Sequence, residues 1–580
     1  MHRFAAWAPN AERLAVKSDG LIYPMAGPDR QGWWRADVDD AGHGSDYGFV
    51  IGEDAKCYPD PRSQWQPDGV HALSRVYNQD AFAWGDSGFQ SLPISSAILY
   101  ELHVGTFTSG GTLDAAIHKL PYLADLGITH IELMPLASFE GNHGWGYDGV
   151  SLFSVHEPYG GPDALKRFVN AAHSHGLAVL LDVVYNHFGP AGNYTGKCGP
   201  YLTDAHHTPW GGAVNLEDKW SNQVRRFFCD NALMWLRDFH IDGLRLDAIH
   251  AYVDRSAIHF IEQLTTEVAA LESALGRRLV VIAESDLNDP RTVTSWEAGG
   301  LGADAQWSDD FHHALFAVLA PNSVGGYYTD FGSVSLLVKA LRHVFVYDGL
   351  YSSYRKRVHG RPVGNLSRHK FLGYIQNHDQ VGNRATGDRI SHIAGFERAK
   401  IAAALVLTSP FIPLIFQGEE WAASSPFQYF ADHRDTQLAR AVSEGRKREF
   451  AAFGWNPDEI PDPESPSTFQ RSKLNWAEHK KPEHAEMLAW YRELISLRRA
   501  APCLNDGDRR HLNAFYDERE NWIRIERGTI TVICNLGSEN RRFPLTRRAQ
   551  ILLASRDEIQ IDDGSISITP DTVVIIGARE

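Results

Sequence analysis

Four segments of this chain place polar groups directly after short apolar runs: DVVYNH (182–187), GLRLDA (243–248), VVIAES (280–285) and IQNHD (375–379). Three of them carry the acids Asp247, Glu284 and Asp379, which could act on one substrate if the fold brings the ends of these runs together. Two carboxyl groups about 5–5.5 Å apart suffice for hydrolysis of a glycosidic bond with retention, one attacking the anomeric carbon and one protonating the leaving oxygen. Asp247 is the expected nucleophile, because Arg245 lies two residues earlier on the same strand face and can hold it ionised. Glu284 follows LVVIA, where desolvation is expected to raise its pKa and keep it protonated as the general acid. Asp379 is then the third carboxyl, binding sugar hydroxyls and favouring an oxocarbenium-like transition state. A single Asp at a strand end is more often a turn residue. Four such endings are hard to treat as independent accidents. His187 and His378, each ordinarily structural, read beside these acids as neutral donors to sugar hydroxyls.

The elements that must position these residues are legible as a βα alternation beginning near residue 96. Candidate strands are 98–104, 128–134, 178–184, 243–246, 279–283, 303–306, 371–375 and 413–416, several apolar on both faces as buried parallel strands must be. Helices are expected over 162–175, with Pro near its start and Gly176 as its stop, and over 222–239, with Val224, Phe228, Ala232, Trp235 and Phe239 on one stripe. Eight strands with intervening helices predict an α/β fold, a (β/α)8 TIM barrel over 91–494, inflated by long loops at 186–221 and around 320–365. Residues 1–90 and 495–580 alternate as short strands and predict an N-terminal and a C-terminal antiparallel β-sandwich. Part of the first strand is expected to lie outside this sequence.

Composition bounds the partners. The 580 residues exceed what one core supports, and a formal net charge of −16 disfavours nucleic acid, which needs a basic surface. No apolar run is long enough to span a bilayer, and MHRFAAWAPN lacks the features of a secretory signal, so a cytoplasmic protein without membrane association is expected. Cys57, Cys198, Cys229, Cys503 and Cys534 are few and not in close pairs, which suits reduced structural thiols.

Taken together, these runs resemble the α-amylase superfamily of glycoside hydrolases, and the likeness covers the barrel nearly end to end. A narrower likeness rests on YELHVGTFT (from Tyr100), HGWGYDGV (from His143), RLDAIHA (from Arg245), ESDLNDP (from Glu284), DDFHHAL (from Asp309), QNHDQVGNR (from Gln376) and FQGEEWAASSPFQYF (from Phe416). It is to members that cut the α-1,4 bond beside the terminal trehalose of maltooligosyltrehalose. WAPNAERLAV (7–16) is similar to the starch-binding-like sandwich that precedes the barrel in related enzymes. The resemblance implies Asp247 as nucleophile, Glu284 as proton donor and Asp379 as transition-state stabiliser. It also implies sugar contacts from Arg245, Leu246, Ala248, Ile249 and His250, from Asp309, Asp310, Phe311, His312 and His313, and from His378, Gln380, Val381, Gly382 and Asn383. Tyr147 would stack on the glucose to the non-reducing side of the cut, and Asp148 would accept from its hydroxyls. The implied functional partner is a synthase that builds the terminal α,α-1,1 linkage. Trp210, Tyr328 and Tyr354 are conjectured to face the trehalose end.

Other motifs are weak. Asn186 occupies a position used for calcium in some superfamily members, but no acidic loop at calcium spacing accompanies it, so neither metal nor cofactor is expected. His206-His207 and His312-His313 lack the i, i+4 spacing of a zinc helix. Asn193-Tyr194-Thr195 reads as a chance match to a glycosylation acceptor. Two other readings stay open: an α-1,6 debranching or branching enzyme of the same superfamily, and a non-catalytic glucan-binding protein. Product analysis separates all three.

Overall fold

The computed structural model describes residues 1–578 other than 55, 324, 452–454, 546–547 and 563. Eight parallel strands close into a barrel: β1 (Leu99–Leu102), β2 (His130–Leu133), β3 (Ala178–Val183), β4 (Gly243–Leu246), β5 (Val280–Ala283), β6 (Ala305–Trp307), β7 (Phe371–Gly373) and β8 (Ile412–Phe416), each paired with its neighbours in chain order and β8 with β1. Every residue of these strands is buried, which explains why they read as apolar runs rather than alternating ones. One face of each strand packs on the surrounding helices. The other fills the barrel with Leu99, Leu180, Ile282, Trp307, Leu372 and Leu414 among others.

The helices follow local sequence signals. Gly161–Ser174 opens with Pro162 in its first turn and buries Leu165, Phe168, Val169 and Ala172. Ser221–Asp238 buries Val224, Phe228, Ala232 and Trp235 on the expected stripe. The two long insertions have structure of their own. Strands Leu202–Thr208 and Gly211–Val214 pair as a hairpin in the first. A helix (Val334–His343) and a hairpin (Leu350–Ser352 with Arg357–His359) occupy the second.

Antiparallel sheets flank the barrel on both sides in sequence. N-terminal strands His2–Trp7 and Trp33–Val38 pair in one sheet, and Leu14–Ser18 lies between Leu21–Pro24 and Asp46–Ile51 in another. Phe4, Val16, Trp34 and Phe49 share the core between them. The C-terminal part holds a five-stranded sheet, with Ile530–Asn535 and Thr572–Ala578 side by side, and a three-stranded one. The expected boundary at 494 falls inside the helix Pro482–Ala500, which buries Leu494, Ile495 and Arg498. The Arg498 guanidinium donates to the carbonyls of Leu407 and Phe411 at 2.8 and 2.7 Å, tying that helix to the barrel, and the C-terminal sheets start only at Leu512. Among the described residues, no helix is long and apolar enough to cross a membrane. All five cysteines are free thiols.

Candidate active site

Toward the C-terminal ends of the strands the aliphatic filling of the barrel gives way to charge. Register pairs Glu101 with Glu132 across β1 and β2, and Asp182 with Arg245 across β3 and β4. All four are essentially buried, so each needs a partner or must be neutral. Arg245 organises the layer. Its Nη1 donates to Asp182 Oδ2 at 2.6 Å and to Asp247 Oδ1 at 2.9 Å, its Nη2 lies 2.8 Å from Glu284 Oε2, and its guanidinium stacks 4.2 Å above the Trp307 ring. The planar fork of Arg suits this multiple clasp, which a Lys could not reproduce.

Asp247 and Glu284 follow the ends of β4 and β5 at matching positions, since Leu246 is in register with Ala283 and the Glu284 amide donates to the Leu246 carbonyl at 3.0 Å. Matched residues on parallel neighbours point to the same face about 4.8 Å apart. Just beyond, Ala248 adopts a left-handed conformation, φ 42° and ψ 51°, so that Ile249 rather than Ala248 donates to the Glu284 carbonyl. The amide thus freed from the ladder donates to Glu284 Oε2 at 2.8 Å.

The third acid sits across the mouth. Asp379 is the second residue of the short helix His378–Gly382, and its carboxylate lies 3.6 Å from His378 Nε2 and accepts from Asn383 at 3.2 Å. His378 is held by Glu101, which accepts the His378 backbone amide at 2.9 Å and contacts Nδ1 with its other oxygen. Tyr147 OH bridges His378 Nε2 and Asp182 Oδ2, 2.6 Å from each, with its ring stacked on the imidazole at 5.1 Å.

At Asp247 and Glu284 the pKa shifts run in the direction opposite to the sequence expectation. Burial and the charge of Glu284 push Asp247 well above the usual carboxylate range despite Arg245. Burial also pushes Glu284 up, but the guanidinium and the Ala248 amide outweigh it and hold Glu284 low. The reason is the donor count: Glu284 Oε2 receives a backbone N–H that no sequence pattern announces, and two acids sharing one guanidinium cannot both be ionised cheaply. His378 is not a neutral donor. Burial would lower its pKa, but Glu101 and Asp379 raise it to about 9, which makes it an imidazolium at neutral pH.

The remaining expected contacts fall into two groups. Asp309 sits near the mouth, accepting from Tyr374 OH at 2.5 Å and Gln380 at 3.5 Å, with burial raising it to about 7. Asp148 is partly open, 3.8 Å from His433. His250 is exposed. His187 stacks on Trp210 at 5.0 Å and has Nε2 on the Tyr147 carbonyl at 3.0 Å; burial lowers it to about 4, so it is neutral. In contrast, Leu246, Ile249, Phe311 and Val381 are buried in hydrophobic clusters and can offer a ligand only backbone. Asp310 serves the fold: one oxygen accepts from Asn288 and from the amides of Val346 and Tyr347 at 2.6–2.9 Å. His312 is buried against Tyr328, and Gly382 lies where a Cβ would meet the Trp145 ring at 2.0 Å. His313 is buried among Tyr327, Tyr328 and Phe331. Of the conjectured aromatics, Trp210 is half exposed on its hairpin, Tyr328 is buried with its OH 3.0 Å from Gln380, and Tyr354 is exposed.

Sequence reading missed Glu101, Glu132 and Trp307 as parts of the site. The available signal was an acid inside an apolar barrel strand, present in YELH and HIEL. Among the described residues, no group of three or more His, Cys, Asp or Glu is placed to hold a metal ion. The arrangement can deliver a carboxylate and a carboxylic acid to one glycosidic bond, with a third carboxylate opposite.

Comparison with known proteins adds a family. The description "Alpha amylase, catalytic domain" matches residues 57–200. The malto-oligosyltrehalose trehalohydrolase of Rhizobium sp. (strain M-11) is 46% identical over 582 residues, covering 99% of this chain and 97% of its own. That of Mycobacterium tuberculosis (strain H37Rv) is 46% identical over 585 residues, covering all of both chains. A crystal structure described as a putative alpha amylase from Salmonella typhimurium is 37% identical, with a TM-score of 0.90 over 99% of this chain and 97% of that one.

Proposed function

The chain belongs to the malto-oligosyltrehalose trehalohydrolase family of α-amylase-type glycoside hydrolases, and from that premise we propose that it hydrolyses the α-1,4 bond next to the terminal trehalose of maltooligosyltrehalose. The products are trehalose and a maltooligosaccharide. The observation that carries the residue assignment is the single guanidinium of Arg245 shared by Asp247 and Glu284 at adjacent strand ends.

In this reading Asp247 attacks the anomeric carbon while Glu284 gives its proton to the oxygen of departing trehalose, leaving a glucosyl ester on Asp247. A water that gives its proton to Glu284 then breaks the ester and releases the maltooligosaccharide. In the free protein burial and the charge of Glu284 raise the pKa of Asp247, while Arg245 and the Ala248 amide outweigh burial at Glu284 and lower it. A glycosidic oxygen against Glu284 disfavours its charge, and developing positive charge at the ring favours ionised Asp247. Asp379 and the His378 imidazolium hold hydroxyls of the same glucose, and Tyr147 and Asp148 face it on the non-reducing side. Asp309, Gln380 and Asn383 are the further polar contacts supported by their places around the mouth.

Functional pairing with a maltooligosyltrehalose synthase, a cytoplasmic location and a division into units near 1–90, 91–500 and 501–580 complete the proposal. Incubation with maltooligosyltrehalose and, separately, with a branched glucan tests it. Trehalose as the main product supports the reading; preferential cleavage or formation of α-1,6 branches, or binding without turnover, defeats it.

A further inference from the structure

The segment after β8 carries a helix, Thr436–Ala451, that buries only Phe450. Its sequence, TQLARAVSEGRKREFA, has too few large apolar residues to form a packed stripe, so burial alone does not hold it in place. Arg440 and Arg448 on it are exposed. Arg446 is drawn inward: its side chain is 12% exposed, and its guanidinium lies 4.5 Å from the Phe450 ring and 5.2 Å from the Tyr429 ring. Taking a guanidinium out of water is costly unless its N–H groups are used. Its ion pair with Glu449, at 3.5 Å and half exposed, is weak.

Its closer contacts are with neutral acceptors beside Asp379. Arg446 Nη2 donates to the Gly382 carbonyl at 2.5 Å and Nη1 to Asn383 Oδ1 at 3.3 Å, while Asn383 Nδ2 donates to Asp379 Oδ1 at 3.2 Å. A guanidinium only donates and a carboxylate only accepts, so the Asn383 amide between them has one orientation. Phe450 packs with Ala385 and Ile460, so the second anchor of the helix falls on the same stretch, 382–385. The helix His378–Gly382 that carries Asp379 is five residues long, too short to be stable by itself. At its start the Asn377 side chain accepts from the Gln380 amide at 2.8 Å. At its end the Gly382 carbonyl, beyond the reach of any partner within so short a helix, is met by Arg446.

We infer that Arg446 is a positioning residue for the reaction: through the Gly382 carbonyl and the Asn383 amide it fixes the turn at 382–383 and thereby the aim of Asp379. The inference rests on the reading of Asp379 as the carboxylate that holds the reacting glucose. Without the guanidinium the Asn383 amide is free to turn, and Asp379 loses both its donor and the cap on its helix. The cost falls on kcat rather than KM, because Asp379 is needed most when positive charge develops at the ring.

Steady-state kinetics on maltooligosyltrehalose for Arg446→Ala, Arg446→Lys, Asn383→Ala and the double variant Arg446→Ala/Asn383→Ala test it. Arg446→Ala should lower kcat about tenfold or more, the worth of a charge-assisted hydrogen bond, and leave KM within about twofold of the wild type. Arg446→Lys keeps the charge and the stem but meets fewer acceptors, so its kcat should lie between the two. Because Arg446 and Asn383 act in series, the double variant should be slower than the slower single variant by about twofold at most. A melting temperature that falls while kcat per folded molecule stays normal would overturn the inference, as would a loss confined to KM or single losses that multiply in full. If Arg446→Ala does not fold, Arg446→Lys decides, with a normal kcat overturning the inference and a lowered one at unchanged KM upholding it. Failure of the trehalohydrolase reading would look different, since the wild type itself would release no trehalose. The comparison is then made with an α-glucosyl fluoride, where a loss of about tenfold in Arg446→Ala upholds the inference and a normal kcat overturns it.

Discussion

Glu101 and His378 are joined twice, through the backbone amide of His378 at 2.9 Å and through its Nδ1, and both side chains are buried. Because the His378 pKa is raised to about 9 in the folded protein, from an ordinary value near 6.5, the pair's contribution to stability is fully present below about 6.5 and is lost as pH rises through about 9. Glu101→Gln should therefore move the alkaline fall in melting temperature, and the alkaline limb of the pH–rate profile, toward neutral pH. Superimposable profiles for the variant and the wild type would contradict this.

Arg245 is a single cation serving Asp182, Asp247 and Glu284. Arg245→Lys keeps the charge but loses the fork, so kcat should fall by about a thousandfold or more. Removing one partner of a buried charge network costs about 3–5 kcal/mol. Circular dichroism distinguishes lost activity from lost fold, and near-normal turnover would show that the clasp is not needed.

The two acids should separate by leaving group. Asp247→Asn should cost several orders of magnitude in kcat with every substrate, about 5 kcal/mol or more in barrier. Glu284→Gln should be comparably slow on maltooligosyltrehalose yet form the ester readily from an α-glucosyl fluoride, whose leaving group needs no proton. Equal loss on both substrates would remove the general-acid assignment.

Ala248 pays a backbone cost at φ 42° to aim its amide at Glu284. Ala248→Gly retains the amide and removes the Cβ penalty of roughly 1 kcal/mol. Activity should persist with a slightly raised melting temperature. A destabilised variant would mean that the left-handed turn is not strained.

Glu419 and Glu420 lie buried after β8, accepting from Tyr491 at 2.8 Å and from Tyr100 and Tyr122 at 3.0 Å. Burial raises Glu419 to about 8 and Glu420 to about 7. An acid whose folded pKa is raised stabilises below its unfolded value, near 4.5, and loses that contribution as pH rises through the folded one. Glu419→Gln, which cannot ionise, should flatten the decline of melting temperature between pH 5 and about 8. An unchanged slope would mean that Glu419 is already ionised at neutral pH.

The barrel was legible because every strand is buried on both faces, so GLRL and VVIA could not be mistaken for half-exposed strands, and the acids at their ends marked the mouth. What was not legible depended on non-local or backbone geometry. The Ala248 amide that joins Arg245 in lowering the pKa of Glu284 arises from one left-handed residue with no Gly to announce it. Asp310 looked like Asp309, its neighbour, until the loop at 346–347 proved to cover it. His378 seemed neutral because its partner, Glu101, lies 277 residues earlier. The helix Pro482–Ala500 reaches past the expected boundary at 494 because its last turn belongs to the barrel.

The central claim is that Asp247 and Glu284 carry out a double displacement beside trehalose. NMR of the first products before mutarotation tests it most directly. Trehalose should appear together with a maltooligosaccharide whose new reducing end is the α-anomer; a β-anomer would show a single inversion and contradict Asp247 as nucleophile.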